Sequence, residues 1–134
     1  MIGLIRVLTL KDPQALNYHG QLINTKYDLP IISECISDQE NGIHDASTEE
    51  KAIPKIITLG RRLADSGCRI LIVSCAADPA VLQLRALTGL PVIGAGSAAS
   101  LLALASGKNT GVIGITEEVP AVVKNTLGAF LAVI

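Results

Sequence analysis

Short apolar runs alternate along this chain with segments that open on a capping residue and close on glycine, and that alternation leaves few folds open. Met1 to Leu10 is nearly all apolar, with Arg6 and Thr9 as polar exceptions, and suits a strand buried on both faces. Asp12-Pro13 opens a helix with Leu16, His19 and Ile23 on one side. Ile31 to Ile36 reads as a second strand, and the polar stretch Ser37 to Ala46 as a loop long enough to serve a function. Ser47 and Glu50 have capping-box spacing before a helix carrying Ile53, Ile56, Leu59 and Leu63, with Pro54 as a kink or a later start and Gly67 as its end. Arg69 to Val73 is the third strand, followed by a helix from Pro79 to Gly89. Leu90 to Ile93 is the fourth strand, Gly94-Ala95-Gly96-Ser97 a tight turn, and Ala98 to Ala105 a helix apolar almost all round and so expected to be buried. Thr110 to Ile115 is a fifth strand, Thr116 with Glu117 and Glu118 opens another helix that ends at Gly128, and Ala129 to Ile134 reads as a sixth strand. This βα alternation predicts an α/β fold, a parallel sheet covered by helices with right-handed crossovers.

Composition narrows the function classes. The chain has 134 residues, enough for one ordinary domain, and its core must be aliphatic because only 2% of it is aromatic against 49% apolar. A net charge of −1 points to neither nucleic acid nor an anionic membrane surface. The apolar stretches are broken by Gly, Ser or Pro, so none reads as a membrane span, and no charged segment precedes a long apolar one as in a signal peptide. Three cysteines do not make a disulfide framework, and a reduced, cytoplasmic protein is expected. His19 and His44 have no partners at metal spacing, so no metal is expected.

The stretch Ser74-Cys75-Ala76-Ala77-Asp78-Pro79 carries the functional signal. It puts a cysteine where a buried strand ends and a helix begins, the place where ligands bind in open parallel sheets. Helix N-termini favour anions, so a thiol there is expected to have a lowered pKa. Cys75 is then a base or nucleophile beside a bound anion, or else a buried, inert thiol. Ala76 and Ala77 offer small side chains and backbone N–H groups to a carboxylate or enolate oxygen, and Asp78 is the expected N-cap of the following helix. Arg6 is placed to pair with a substrate carboxylate or with a surface partner. Thr9 and Ser97 can bind substrate or satisfy turns and caps, and Thr116 is a natural cap.

These segments resemble the aspartate/glutamate/hydantoin racemase superfamily, its hydantoin racemase branch above all. The resemblance rests on Ile2 to Thr9, the Cys-x-x-Asp-Pro segment Cys75 to Pro79, Leu90 to Ser97, and Gly111 to Thr116. It implies a cofactor-independent racemase built from two similar α/β domains, each giving one cysteine at the carboxyl end of a strand. One cysteine as thiolate removes the proton from the chiral carbon, and the other as thiol returns one on the opposite face. Cys75 matches the first cysteine, and the segments around Thr9, Gly96-Ser97 and Thr116 match loops bordering the site. The implied substrate is a small molecule with a carboxylate or cyclic imide next to the stereocentre.

The segment holding the family's second cysteine is absent, so residues 1–107 are expected to form the N-terminal racemase-like domain and 108–134 the start of a second one. A homo-oligomer or a missing C-terminal half would complete the site, and the chain by itself is expected to be inactive or weak. Two other readings remain open. Gly94-Ala95-Gly96-Ser97-Ala98-Ala99 fits the G-x-G-x-x-A fingerprint, with Glu117 beyond the next strand, and predicts a dinucleotide-binding Rossmann-type domain. A truncated racemase-like protein without catalysis is the third.

Overall fold

A computed structural model describes residues 1–116 and 118–133 of the chain. Glu117 and Ile134, which the sequence reading placed in a helix start and a last strand, lie outside the described residues. The elements run β1 (Ile2–Arg6), α1 (Pro13–Tyr27), β2 (Ile31–Cys35), α2 (Ala46–Asp65), β3 (Ile70–Ser74), α3 (Val81–Thr88), β4 (Val92–Gly94), α4 (Ala95–Ala105), β5 (Thr110–Val112), α5 (Ala121–Leu127) and β6 (Leu131–Val133). The first four strands form one parallel sheet in the order β2-β1-β3-β4, and β5 and β6 pair in parallel as a separate sheet. The expected α/β fold is the one observed, with its strands divided between two sheets.

The core lies on one face of the larger sheet. Leu71 and Val73, alternate residues of β3, point the same way and pack with Ile5 of β1, Ile56 and Leu63 of α2, and Leu84 of α3. All six are at most 1% exposed. Ile70, Ile72 and Ser74 take the opposite face and are only half-buried. A smaller cluster of Val119, Val123 and Leu127 packs against Ala103 and Leu104 of α4 and Val112 of β5.

Helix ends account for most differences from the sequence reading. Asp12 caps α1 as expected, its carboxylate accepting from the N–H groups of Gln14 and Ala15. For α2 the capping box is Asp45 with Thr48, not Ser47 with Glu50, because Asp45 already offers a carboxylate to the Thr48 N–H at 2.7 Å. This helix runs unbroken through Pro54, which sits on its exposed side where the carbonyl it leaves unbonded faces water. It closes at Gly67, whose φ of 97° lets its own N–H reach Ala64 O at 3.0 Å and the Cys68 N–H reach Leu63 O at 3.1 Å.

Further along, α3 starts at Val81 rather than Pro79, since Asp78 and Ala80 are held at φ 54° and 60°, outside helical geometry. No turn separates β4 from α4: the helix begins at Ala95. Nor is α4 buried, for Leu101 and Leu102 stand 58% and 77% exposed. The fifth strand stops at Val112, leaving Ile113 and Ile115 in the open. Thr116 caps nothing, because α5 begins five residues later at Ala121 behind Pro120.

Replacing Pro54 by Ala restores one helix hydrogen bond on an exposed face. The expected result is a gain of about 1–3 kcal/mol in unfolding free energy, read as a higher urea midpoint with unchanged slope.

Candidate active site

The strand order decides where a site can form. From β1 the chain moves outward to β2, and from β3 it moves outward the other way to β4. Neighbouring strands with diverging connections leave a crevice at their carboxyl ends. Those ends are Arg6 and Ser74, paired in the sheet, and Cys75 follows directly.

A cavity of about 560 Å³ opens there. Ser74, Cys75 and Ala76 form its floor at the end of β3, and His19 reaches in from α1. One wall is the small-residue side of α4, Gly96, Ala99 and Ala103, and the other is Thr110 to Ile113 with Val123 and Leu127 of α5. The cavity therefore lies between the larger sheet and the β5–α5 segment. Its walls are largely apolar, with His19 and Ser74 beside Cys75 and two further hydroxyl residues, Ser100 of α4 and Thr110 of β5, among the lining.

Cys75 is half-buried and its thiol sits above the ordinary value, contrary to the expected lowering. Burial is the largest cause; the Ala77 N–H bonded to the sulfur pulls the other way, and the carboxylates of Glu49 and Asp78 push it further up. The helix whose N-terminus was expected to stabilise the thiolate, α3, starts only at Val81, six residues beyond the cysteine. Asp78 instead binds the N-terminus of α4, its two carboxylate oxygens accepting from the N–H groups of Gly96 at 2.7 Å and Ser97 at 2.8 Å.

That contact also explains the glycines. A Cβ on Gly94 would strike the Asp78 carboxylate, and one on Gly96 would strike the carbonyl of Ala76. Both are small so that the Cys75 loop can lie against the start of α4. The donors that a pyrophosphate would need are filled by a carboxylate that repels it, so the dinucleotide reading loses its physical basis. Asp78 does act as a cap, but of α4 rather than of the helix that follows it.

The other sequence candidates divide. Cys75, Ala76 and Gly96 line the cavity, while Ala77 serves through its N–H on the sulfur. Ser97 is not part of the cavity lining; its N–H is held by Asp78 and its hydroxyl donates to Gly94 O at 3.3 Å. Arg6 turns away: its Nη1 donates to Ala15 O at 2.7 Å and Leu16 O at 3.3 Å, and its buried Nε has no partner among the described residues. The Thr9 hydroxyl donates to Ile36 O and accepts from the Gln39 N–H, pinning the polar loop in place. Thr116 is exposed, off the cavity wall, and donates to Glu118 O.

His19 and Ser74 are the functional candidates that sequence reasoning missed. The His19 Nδ1 lies 2.7 Å from the Ser74 Oγ, joining residues 55 apart in the chain. Burial and the nearby Arg6 charge both hold the imidazole below its ordinary pKa, so it is neutral at pH 7. The available signal was a histidine on the apolar side of its helix with Leu16 and Ile23.

The Asp/Glu/Hydantoin racemase family profile matches residues 23–130. The chain belongs to that family. Among solved structures it is similar to the allantoin racemase from Klebsiella pneumoniae, with a TM-score of 0.69 and 19% identity over 98% of this chain and 56% of that one. It is also similar to a doubly substituted arylmalonate decarboxylase in the liganded form, with a TM-score of 0.60 and 20% identity over 96% of this chain and 55% of that one. The racemase-family chain described here thus spans little more than half the length of either. No curated protein matches it.

Two outcomes are expected of this racemase-family site. Asp78→Ala strips two N–H groups of their acceptor and should lower stability by about 1–2 kcal/mol in urea unfolding. Iodoacetamide should label Cys75 slowly at pH 7 and faster as pH rises past the ordinary thiol range, and Glu49→Gln should speed labelling at pH 7 by removing one of the charges that oppose ionisation.

Proposed function

We propose that this chain carries one half of a cofactor-independent racemase or epimerase site, with Cys75 as a proton-transfer thiol. The observation that supports it is Cys75 at the carboxyl end of β3, lining a cavity of about 560 Å³ shared with the β5–α5 segment. Family membership supports a racemase-type reaction class. The substrate is a small amino-acid-derived molecule, a hydantoin or an amino acid, with a carbonyl or carboxylate beside its chiral carbon.

In this reading the Cys75 thiolate takes the proton from that carbon. An S–H bond forms, the C–H bond breaks, and the electron pair moves onto the neighbouring carbonyl oxygen. A sulfur of raised pKa is scarcer as thiolate at neutral pH but a stronger base once ionised, which suits a weak carbon acid. Reprotonation on the opposite face needs a second acid. Cys35 bonds through its sulfur to the backbone of Leu10, and Cys68 is 1% exposed in the core, so neither lies on the cavity. The second thiol therefore comes from a racemase-type second unit, in the same polypeptide or in another copy. The separate β5–β6 sheet supports taking residues 108–134 as the opening of that unit. Three free thiols fit a reducing, cytoplasmic setting, and no described helix is long and apolar enough to cross a membrane.

The test is deuterium uptake from solvent at the stereocentre of 5-monosubstituted hydantoins, aspartate and glutamate, followed beside loss of optical rotation. Exchange without inversion is expected from the chain alone, falling at least a hundredfold in Cys75→Ala, a general acid–base group being worth roughly 10²–10⁴. Exchange that survives Cys75→Ala unchanged refutes the assignment.

A further inference from the structure

The His19–Ser74 pair joins two elements at the cavity floor, yet proton transfer by Cys75 makes no use of it. Ser74 precedes Cys75 but belongs to the other face of β3, and its hydroxyl has His19 as its partner among the described residues. Both side chains line the cavity that holds the Cys75 sulfur. The contact joins a half-buried serine at a strand end to a half-buried imidazole from a helix 55 residues earlier in the chain.

The direction of the hydrogen bond sets what the pair can do. A neutral imidazole carries one N–H. If that hydrogen is on Nδ1, it occupies a lone pair of the Ser74 Oγ and leaves the hydroxyl hydrogen free to point into the cavity. Chained donors of this kind strengthen one another. The Arg6 guanidinium, bound to the carbonyls of Ala15 and Leu16, adds positive charge behind the ring without entering the cavity.

From this arrangement we infer that His19 is a positioning residue that, through Nδ1–H···Oγ, aims the Ser74 hydroxyl at the substrate oxygen that becomes negative when Cys75 removes the proton. This rests on the racemase reading above and assigns the oxygen-binding group of that same site. The hydrogen bond from Ser74 tightens as charge builds on that oxygen and is weaker before, so it lowers the barrier more than it improves binding.

Two measurements test it. Nitrogen-15 NMR of the histidine-labelled chain reads the tautomer directly, with exposed His44 as internal reference. The Nδ1–H form is expected for His19, with its shifts altered in Ser74→Ala; the Nε2–H form would turn the serine hydrogen toward the ring and overturn the inference whatever the activity. In the deuterium-uptake assay, Ser74→Ala should slow exchange about a hundredfold, the usual effect of losing one oxyanion donor. His19→Phe should slow it at least tenfold through kcat rather than KM, add nothing once Ser74 is Ala, and be partly rescued in His19→Asn, whose amide N–H can replace Nδ1–H. Loss of exchange in Cys75→Ala with full activity in His19→Phe overturns this role alone. Full activity in Cys75→Ala overturns the racemase reading, and this role with it.

Discussion

The carboxylate of Asp78 on the first N–H groups of α4 is the contact on which the site depends. It ties the loop after β3 to the helix after β4 and so fixes Cys75 against the cavity floor. The loop accepts an unfavourable backbone to reach it, with Asp78 and Ala80 both at positive φ. Left-handed conformations are tolerated by Asp but disfavoured for Ala by about 1–2 kcal/mol. Two charge-assisted hydrogen bonds at 2.7 and 2.8 Å, together with the dipole of α4, offset that strain.

The same carboxylate adds to the electrostatics of the thiol, in which burial is the largest influence. A helix N-terminus open to solvent would lower the pKa of a nearby cysteine. Here that N-terminus is satisfied from within, and the carboxylate that satisfies it is itself a negative neighbour of the sulfur. Glu49, in the first turn of α2, adds to the effect from the other side of the sheet. Burial and both carboxylates thus oppose ionisation of Cys75. Arg6 does not compensate, being engaged with the first turns of α1.

Fold class was legible because it follows from local periodicity. All six strands lie within the apolar runs or begin one to two residues inside them, and Gly67, Gly89, Gly107 and Gly128 mark helix ends by left-handed or otherwise non-helical backbone. The place of Cys75 was legible for the same reason, since it follows directly on the end of β3. What was hidden depended on contacts across the chain. The G-x-G motif reads as a phosphate cradle until the Asp78 carboxylate, 18 residues earlier, is found in it. Thr9 reads as a substrate ligand until Ile36 and Gln39 claim its hydroxyl. His19 was read only as a helix-face residue without partners at metal spacing, because its partner is on β3, 55 residues away. The apolar α4 was expected inside, yet its small residues face the cavity and its leucines face out.

That division of α4 bears on how the site excludes water. Ala99 and Ala103 are one turn apart on the cavity side, and with Gly96 they make a wall without long side chains. Space is left open there instead of being filled by the leucines of the same helix. The wall is mostly apolar opposite Val123 and Leu127, so water finds its partners at Ser74, Cys75 and His19 and at Ser100 and Thr110. In the proposed reading, a substrate that fills the apolar part displaces weakly held water. Desolvation then strengthens every electrostatic interaction at the sulfur, favourable and unfavourable alike. A thiol already raised by burial and two carboxylates would rise further on closure, unless the charge it releases is met by a donor aimed into the cavity, and the Ser74 hydroxyl is the side-chain donor nearest to it in sequence.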